Sequence, residues 1–228
     1  INLSTIGFDI EPWKNFILRL TGSYRTLKSA TDTFSIDYKV MEDGVFTGEV
    51  KSELKQAEIQ LGFLYAPGRK TSGYGVERTI INDGDFPSFY AGYSYGLKDV
   101  MGGDFEYKKL QALYTQPWNI GGVGRLLSTV EVGTTIGAVP LSLLNPIPGN
   151  QTYFSLYNTF TQLDYYEFVS DTYASLHLQH NFGGRIFSRI PLLRKLDLRE
   201  VVGFRAVYGT ISQENIDLNA SNIVYRAP

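Results

Sequence analysis

The stretch that decides the fold runs from Asp164 to Gly209 and reads DYYEFVSDTYASLHLQHNFGGRIFSRIPLLRKLDLREVVGFRAVYG. In its first half, from Thr172 to Phe182, apolar and polar side chains alternate. A second alternating run extends from Asp197 to Gly209, with Glu200 as a polar exception on the apolar side. A period of two is that of a β-strand with one apolar and one polar face. The stretch therefore predicts two strands joined by a basic connection.

The same alternation recurs through most of the chain and predicts about nine strands, most of them 9 to 13 residues long. Strands of soluble proteins are usually shorter, at about 5–6 residues. Tilted transmembrane strands need about 9–11 residues. The strand count includes a run from Phe34 to Val40, and residues 66–87 are expected to be irregular.

Composition excludes several classes of protein. The net charge of -2 gives no basic footprint for nucleic acid, and the absence of cysteine excludes disulfides and thiolate metal sites. No run approaches the roughly 18 apolar residues of a membrane helix. The 16 tyrosines, 14 phenylalanines and 23 glycines favour strands and turns.

Two folds fit the alternation. The first is all-β: an antiparallel transmembrane β-barrel, whose strands alternate between lipid and lumen. An interfacial aromatic girdle at the strand ends would support it, and the candidates for that girdle are Trp13, Tyr24, Tyr65, Tyr107, Trp118 and Tyr208. The alternative is a soluble β-sandwich that binds carbohydrate or acts as a hydrolase.

We expect no catalytic, cofactor or metal site. The only histidines, His177 and His180, are three residues apart on a predicted strand and point to opposite faces, so they do not share a metal. On the polar face, a lumen charge network is predicted from Glu58, Lys109, Glu131, Arg199 and Arg205. The basic connection has two interpretations: a site for lipid headgroups or an acidic partner, or a solvated turn.

Three clusters carry a resemblance to a known family: Asn158-Thr-Phe, Tyr165-Tyr-Glu-Phe-Val-Ser-Asp171, and Ile190-Pro-Leu-Leu-Arg-Lys-Leu196 with Arg199-Glu-Val-Val202. The chain resembles outer-membrane proteins of Bacteroidota, of unknown function, that join an N-terminal carboxypeptidase-regulatory-like domain to a C-terminal barrel. That barrel is similar to the BamA/TamA-type superfamily, whose members insert or export outer-membrane proteins.

The resemblance implies an architecture. The chain would be a fragment of a barrel of about 16 strands, running from about its fifth to its thirteenth strand. Residues 137–171 would be a long extracellular loop folded into the lumen, and residues 183–196 a periplasmic basic turn. The superfamily's lumen loop carries an Arg-Gly-aromatic signature. Residues 137–171 carry none, and the acids and tyrosines of Asp164 to Asp171 stand in its place.

These expectations define candidate contacts and a role. The loop is predicted to brace the lumen through its tyrosines and acids against inward arginines; the candidates are Tyr165, Tyr166, Glu167, Asp171, Arg199 and Arg205. The basic turn consists of Arg185, Arg189, Arg194 and Lys195. We expect a non-enzymatic barrel of the cell outer membrane, acting in outer-membrane protein biogenesis or export or as a subunit of a surface complex. An accessory barrel of a nutrient-uptake or secretion complex is the alternative. Its partners would be the lipid bilayer, lipopolysaccharide, and other outer-membrane proteins or lipoproteins.

Overall fold

The computed structural model describes most of the chain. The described residues are 2–29, 35–42, 44–73, 78–82, 86–149, 159–160, 163–164, 166–223 and 225–228. No helix in these ranges is long and apolar enough to cross a membrane.

Eight long antiparallel strands form the main sheet, in which each strand pairs with the next along the sheet. They are β1 (Asn2–Trp13), β2 (Phe16–Lys28), β5 (Glu53–Tyr65), β8 (Ser88–Leu97), β9 (Tyr107–Asn119), β10 (Arg125–Ile136), β13 (Thr172–Asn181) and β14 (Val201–Thr210). The predicted all-β antiparallel fold is confirmed.

Within the described ranges, three two-stranded sheets and one α-helix lie outside the main sheet. The pairs are β3 (Tyr38–Glu42) with β4 (Val45–Lys51), β6 (Thr71–Ser72) with β7 (Thr79–Ile80), and β11 (Asn145–Pro146) with β12 (Val169–Ser170); the helix is α1 (Gln213–Leu218). The run from Phe34 to Val40 was predicted as a strand of the main sheet. Its described part instead belongs to the β3–β4 hairpin, so the odd strand count was wrong and the described sheet has eight strands.

The described sheet is open at both edges. Within the described ranges, β1 pairs only with β2 and β14 pairs only with β13. Each edge therefore presents backbone N–H and C=O groups that are available to a further strand.

The two ends of the sheet differ. At the loop end, where β2, β8, β10 and β14 finish, the chain makes the connections 29–52, 98–106 and 137–171 and enters residues 211–228. At the turn end it makes the turns 14–15 and 120–124 and the connections 66–87 and 182–200.

The hydrophobic core lies at the loop end, against one face of the sheet. Residues of the long connection 137–171 supply most of it, with Leu54 of β5 and Tyr107 of β9; those connection residues are Val139, Leu141, Leu143, Leu144 and Val169. Tyr38 of β3 completes the cluster, and Ile211, Ile223 and Tyr225 of the C-terminal segment pack on it. We call residues 137–149, 166–171, 211–223 and 225–228 the cap.

The other face of the sheet is apolar and exposed. Residues opposite each other on neighbouring strands lie on the same face, as in the row Phe63, Ala91, Ala112, Val132, Ala174 and Tyr208. Exposure on this face reaches 79% for Ile6, 58% for Phe204 and 72% for Tyr208. A β-sandwich would cover such a face with a second sheet. Among the described residues, no second sheet covers this face.

Aromatic side chains cluster on the apolar face at the turn end. The Trp13 and Phe16 rings are 5.2 Å apart, Phe16 stacks on Phe63 at 6.2 Å, and Phe63 lies 5.7 Å from Phe89. Tyr107, which was predicted for the same girdle, is instead on the opposite face and only 2% exposed. Its sequence position at a strand end did not reveal that it points inward.

Candidate functional site: the polar face and its cap

The polar face collects the charged residues of the strands. The strand register places Thr115, Thr129, His177 and Arg205 in one row across β9, β10, β13 and β14. His180 lies on the apolar face, stacked on Phe182 with ring centroids 4.2 Å apart. The prediction that the two histidines point to opposite faces is confirmed.

A first polar cluster surrounds Glu58 on β5. Its carboxylate accepts hydrogen bonds from the Tyr107 hydroxyl and, at 3.1 Å, from Arg25 Nη2. Arg25 also donates to the Tyr107 hydroxyl at 3.1 Å. The Glu58 carboxylate thus has two donors, which is what a half-buried carboxylate requires.

A second cluster repeats this arrangement around Glu131 on β10. Its Oε1 accepts from the Tyr173 hydroxyl at 2.5 Å and from Gln111 Nε2 at 2.7 Å. In the first cluster, Tyr107 of β9 reaches Glu58 of β5 across the intervening strand β8. In the second, Tyr173 of β13 bonds Glu131 of the neighbouring strand β10. Such side-chain bonds between strands fix the register of the sheet.

Glycines make room for these tyrosines. Tyr107 lies opposite Gly96, and Tyr173 lies opposite Gly133. A Cβ atom at Gly133 would come within 2.5 Å of the Tyr173 ring, and one at Gly96 would overlap the Tyr107 ring. Only glycine fits beneath each ring, and the ring in turn shields the glycine backbone from solvent.

A small polar cavity of about 180 Å³ separates the first cluster from the cap. Arg25, Glu58 and Lys109 line it from the sheet, and Ser142 and Leu143 line it from the long connection. Two cations and one carboxylate therefore face the connection. Of the five residues predicted to form a charge network, Glu58, Lys109, Glu131 and Arg205 share the polar face.

The structure places Asp171 within the cap. Its Oδ2 accepts from the backbone N–H of Ser212 at 2.7 Å and from Asn215 Nδ2 at 3.2 Å. The carboxylate therefore lies at the start of α1, where a negative charge satisfies free N–H groups. Its described partners are on the C-terminal segment, whereas the sequence suggested the inward arginines.

The other loop candidates are at the edge of the cap. Tyr166 packs against the hydrophobic core with a positive φ of 59°. Glu167 Oε2 accepts from the backbone N–H of Asp164 at 2.9 Å, which closes a local turn. Tyr165 lies outside the described residues.

The two predicted arginines differ in their placement. Arg205 projects from the polar face of β14, and its Nη1 donates to the Thr159 carbonyl of the long connection at 2.7 Å. Arg199 is exposed and precedes β14, which begins at Val201. The assignment of Arg199 to the inward face of a strand was wrong, because the strand is shorter than the alternation suggested.

The basic connection is structured. It contains two short 3₁₀ turns, Phe187–Arg189 and Arg194–Leu196. Arg185, Arg189, Arg194 and Lys195 are all exposed. Glu200, the polar exception of the sequence pattern, is 8% exposed, and its carboxylate accepts from the backbone N–H of Phe187. Glu200 therefore stabilises the basic connection through its backbone and does not contribute to the apolar face.

Sequence reasoning missed the asparagines that hold the cap together. Asn215 Oδ1 accepts from the Val139 N–H at 2.9 Å, and Asn219 Oδ1 accepts from the Leu141 N–H at 2.5 Å. Asn145 Nδ2 donates to Thr135 Oγ1 of β10 at 3.1 Å. The segment from Ile211 carries only a weak local signal, a six-residue helix preceded by Ser212.

A family model matches residues 46–216, the C-terminal domain of a family of unknown function, DUF5686. The chain belongs to this family. The match extends from β4 into α1, so it includes Glu58, Tyr107, the whole Glu131 cluster and most of the cap, whereas Arg25 precedes it. The predicted membership in a family of unknown function is confirmed. Searches of curated proteins and of solved structures found no match.

Proposed function

We propose that this chain forms part of the wall of a transmembrane β-barrel in a Gram-negative outer membrane, with its apolar face against lipid and its polar face towards the lumen. The observation that carries the proposal is the inversion of the sheet. Its apolar face is exposed, whereas at the loop end its polar face is covered by the cap and holds the half-buried Glu58 and Glu131.

The exposed face is larger than soluble monomers tolerate. Contiguous apolar patches on such proteins rarely exceed a few hundred Å². Here, exposed aliphatic and aromatic side chains continue across all strands from Phe8 on β1 to Phe204 on β14. Hydrocarbon removes the free-energy cost of this exposure, and the strands of 10 to 13 residues are long enough to cross it.

Aromatic residues at the turn end support the same orientation. Trp13, Tyr65 and Trp118 are 68%, 46% and 52% exposed at the strand ends. Such residues favour the boundary between hydrocarbon and water. The turn end then lies at the periplasmic boundary and the loop end at the extracellular boundary, as the resemblance implies for residues 183–196 and 137–171.

The open edges fit a larger barrel. In lipid, unpaired backbone groups cost several kcal/mol each, so β1 and β14 would both pair with further strands. A 16-stranded barrel of the BamA/TamA type, as the resemblance implies, provides such strands.

We further propose that the barrel is non-conducting and serves outer-membrane protein biogenesis or export, or a surface complex. The cap is a packed apolar core held by buried asparagines, with Leu141 and Val139 fully buried. Such a cap braces the wall and leaves little room for a permanent pore. An accessory barrel for nutrient uptake would need a solute path through this region.

Heat modifiability tests the membrane assignment directly. The protein, extracted in detergent, is run on a denaturing gel with and without boiling. We expect it to need detergent and to migrate faster when unboiled, as folded barrels do. A protein that stays in buffer without detergent and shows one band would contradict the proposal.

Single-channel recording and co-purification separate the roles. We expect planar bilayers to show no steady conductance and mild detergent to retain outer-membrane proteins or lipoproteins. A steady open pore would instead favour the accessory uptake role.

A further inference from the structure

The connection between β13 and β14 concentrates positive charge. Residues 183–199, here called the basic connection, contain Asp197 as their only acid and five cations: Arg185, Arg189, Arg194, Lys195 and Arg199. The whole chain has a net charge of -2, so this segment differs sharply from the rest. All five cations are exposed, and none forms an ion pair with a described acidic residue.

Large apolar side chains are interleaved with these cations and are also exposed. They are Ile186, Ile190, Leu192, Leu196 and Leu198, and Leu192 is 81% exposed. A solvated turn does not need this many exposed aliphatic residues. Cations interleaved with aliphatic side chains are typical of segments that lie in the membrane interface.

Hydrogen bonds hold the basic connection in a defined shape. The Phe182 N–H donates to the Glu200 carbonyl at 2.9 Å, which closes the base of the connection. Within it, the Ser188 N–H donates to the Gly184 carbonyl and the Arg194 N–H to the Ile190 carbonyl, both at 2.9 Å. The exposed side chains are therefore presented by an ordered backbone.

A cleft beside the connection is suited to phosphate. It lies between the turn 120–124 and the start of the basic connection and has a volume of about 610 Å³. Arg125, Arg185, Asn119 and Asn181 line it, and no acidic side chain of the described residues does. Arginine guanidinium and asparagine amide groups are donors that match phosphate oxygens.

We propose that the basic connection binds the headgroups of anionic phospholipids in the membrane leaflet next to the turn end, with its aliphatic side chains in the interface. The inference rests on the proposed membrane function and adds a specific lipid contact to it. An acidic protein would match the cations alone. Phospholipid matches the cations and the interleaved aliphatic residues together.

Because the chain contains no cysteine, a single cysteine reports one position cleanly. We would place an environment-sensitive fluorophore at Leu192→Cys in the protein reconstituted in bilayers of phosphatidylcholine, with or without phosphatidylglycerol. A second label at Ile59→Cys reports the apolar face of β5. We expect both labels to be shielded from aqueous iodide, and the Leu192→Cys label to shift further to the blue with phosphatidylglycerol.

The two labels separate the two proposals. A shielded label at position 59 with an iodide-accessible label at position 192 would overturn the lipid contact and leave the barrel proposal standing. Accessible labels at both positions would overturn both.

Charge removal tests the headgroup contact with a matched control. The triple variant R189Q/R194Q/K195Q removes three exposed cations at the turn end, and K51Q/K55Q/K98Q removes three exposed lysines at the loop end. Each cation near an anionic surface contributes about fivefold to binding, so three contribute on the order of a hundredfold.

Native mass spectrometry with added phosphatidylglycerol measures the apparent Kd of each variant. We expect the first triple to weaken lipid binding by at least about tenfold and the control triple to leave it unchanged. Equal lipid affinities of the two triple variants would overturn the proposal. So would binding of an acidic protein to the basic connection, if R189Q/R194Q/K195Q kept its affinity for lipid.

Discussion

The two faces of the main sheet are built from the same strands and meet opposite surroundings. On β5, Ile59 and Leu61 of the apolar face are 47% and 50% exposed, whereas Gln56 of the polar face is fully buried. The buried face gathers polar groups into hydrogen-bonded clusters around Glu58 and Glu131. The exposed face is dominated by aliphatic and aromatic side chains.

This difference between the faces supports the proposed membrane environment. A soluble sheet buries its apolar face because water penalises apolar surface by about 25 cal/mol per Å². The inverse arrangement is stable where hydrocarbon meets one face and a packed polar interior meets the other. The cap makes the polar face into an interior without leaving Asp171 or Asn215 unpaired.

The largest expected effect is on the capped side. Leu141→Ala removes a fully buried side chain from the core between the cap and the polar face. Deleting such a side chain costs about 2–5 kcal/mol, because a cavity remains. Denaturant unfolding in lipid vesicles, followed by tryptophan fluorescence, measures this loss. The matched control is Val45→Ala, at a 69% exposed site outside the main sheet, and a similar loss there would contradict the contrast.

The next effect is on the apolar face. Ile59→Arg places a charge at the centre of β5, on the face assigned to lipid. In a bilayer this substitution costs about 2–4 kcal/mol, whereas at an exposed site in water it changes stability by no more than about 0.5 kcal/mol. The free energy of unfolding in vesicles distinguishes the two environments.

Val45→Arg is the control for this substitution, since Val45 is 69% exposed in the separate β3–β4 hairpin. We expect it to be tolerated. A tolerated Ile59→Arg would show that water reaches the apolar face.

A smaller effect compares one tyrosine on each face. Tyr107→Phe removes the hydroxyl that donates to the Glu58 carboxylate. A hydrogen bond to a charged group contributes about 1.5 kcal/mol or somewhat more, so the free energy of unfolding should fall by about that amount. Tyr208→Phe, on the apolar face at 72% exposure, should change it by less than about 0.5 kcal/mol. Equal losses in the two variants would refute the distinction between the faces.

The sequence predicts the strands well, because alternation is a local property. Thr172 to Phe182 was predicted within one residue of β13. Strand ends are harder to predict from the sequence. Glu200 falls within the predicted second strand, but its carboxylate bonds the backbone of the basic connection. Arg199 was misplaced for the same reason.

Contacts between distant segments could not be predicted. Asn215 and Asn219 bind Val139 and Leu141 across more than 70 residues of chain, and nothing in their local sequence marks this pairing. Tyr107 has the sequence context of a girdle residue, and only the strand register shows that it reaches Glu58 over Gly96. The loop-to-lumen contacts of Tyr165 and Tyr166 with Arg205 stay a prediction.

Spin labels along β5 test the central claim most directly. Single cysteines at Ile59, Gln60 and Leu61 are labelled in the protein reconstituted in bilayers, and relaxation by oxygen is compared with relaxation by a water-soluble nickel complex. We expect oxygen, which concentrates in hydrocarbon, to relax the labels at 59 and 61 far more than the one at 60. Nickel access at 59 and 61 equal to or above that at 60 would show that water covers the apolar face, and would contradict the proposed membrane wall.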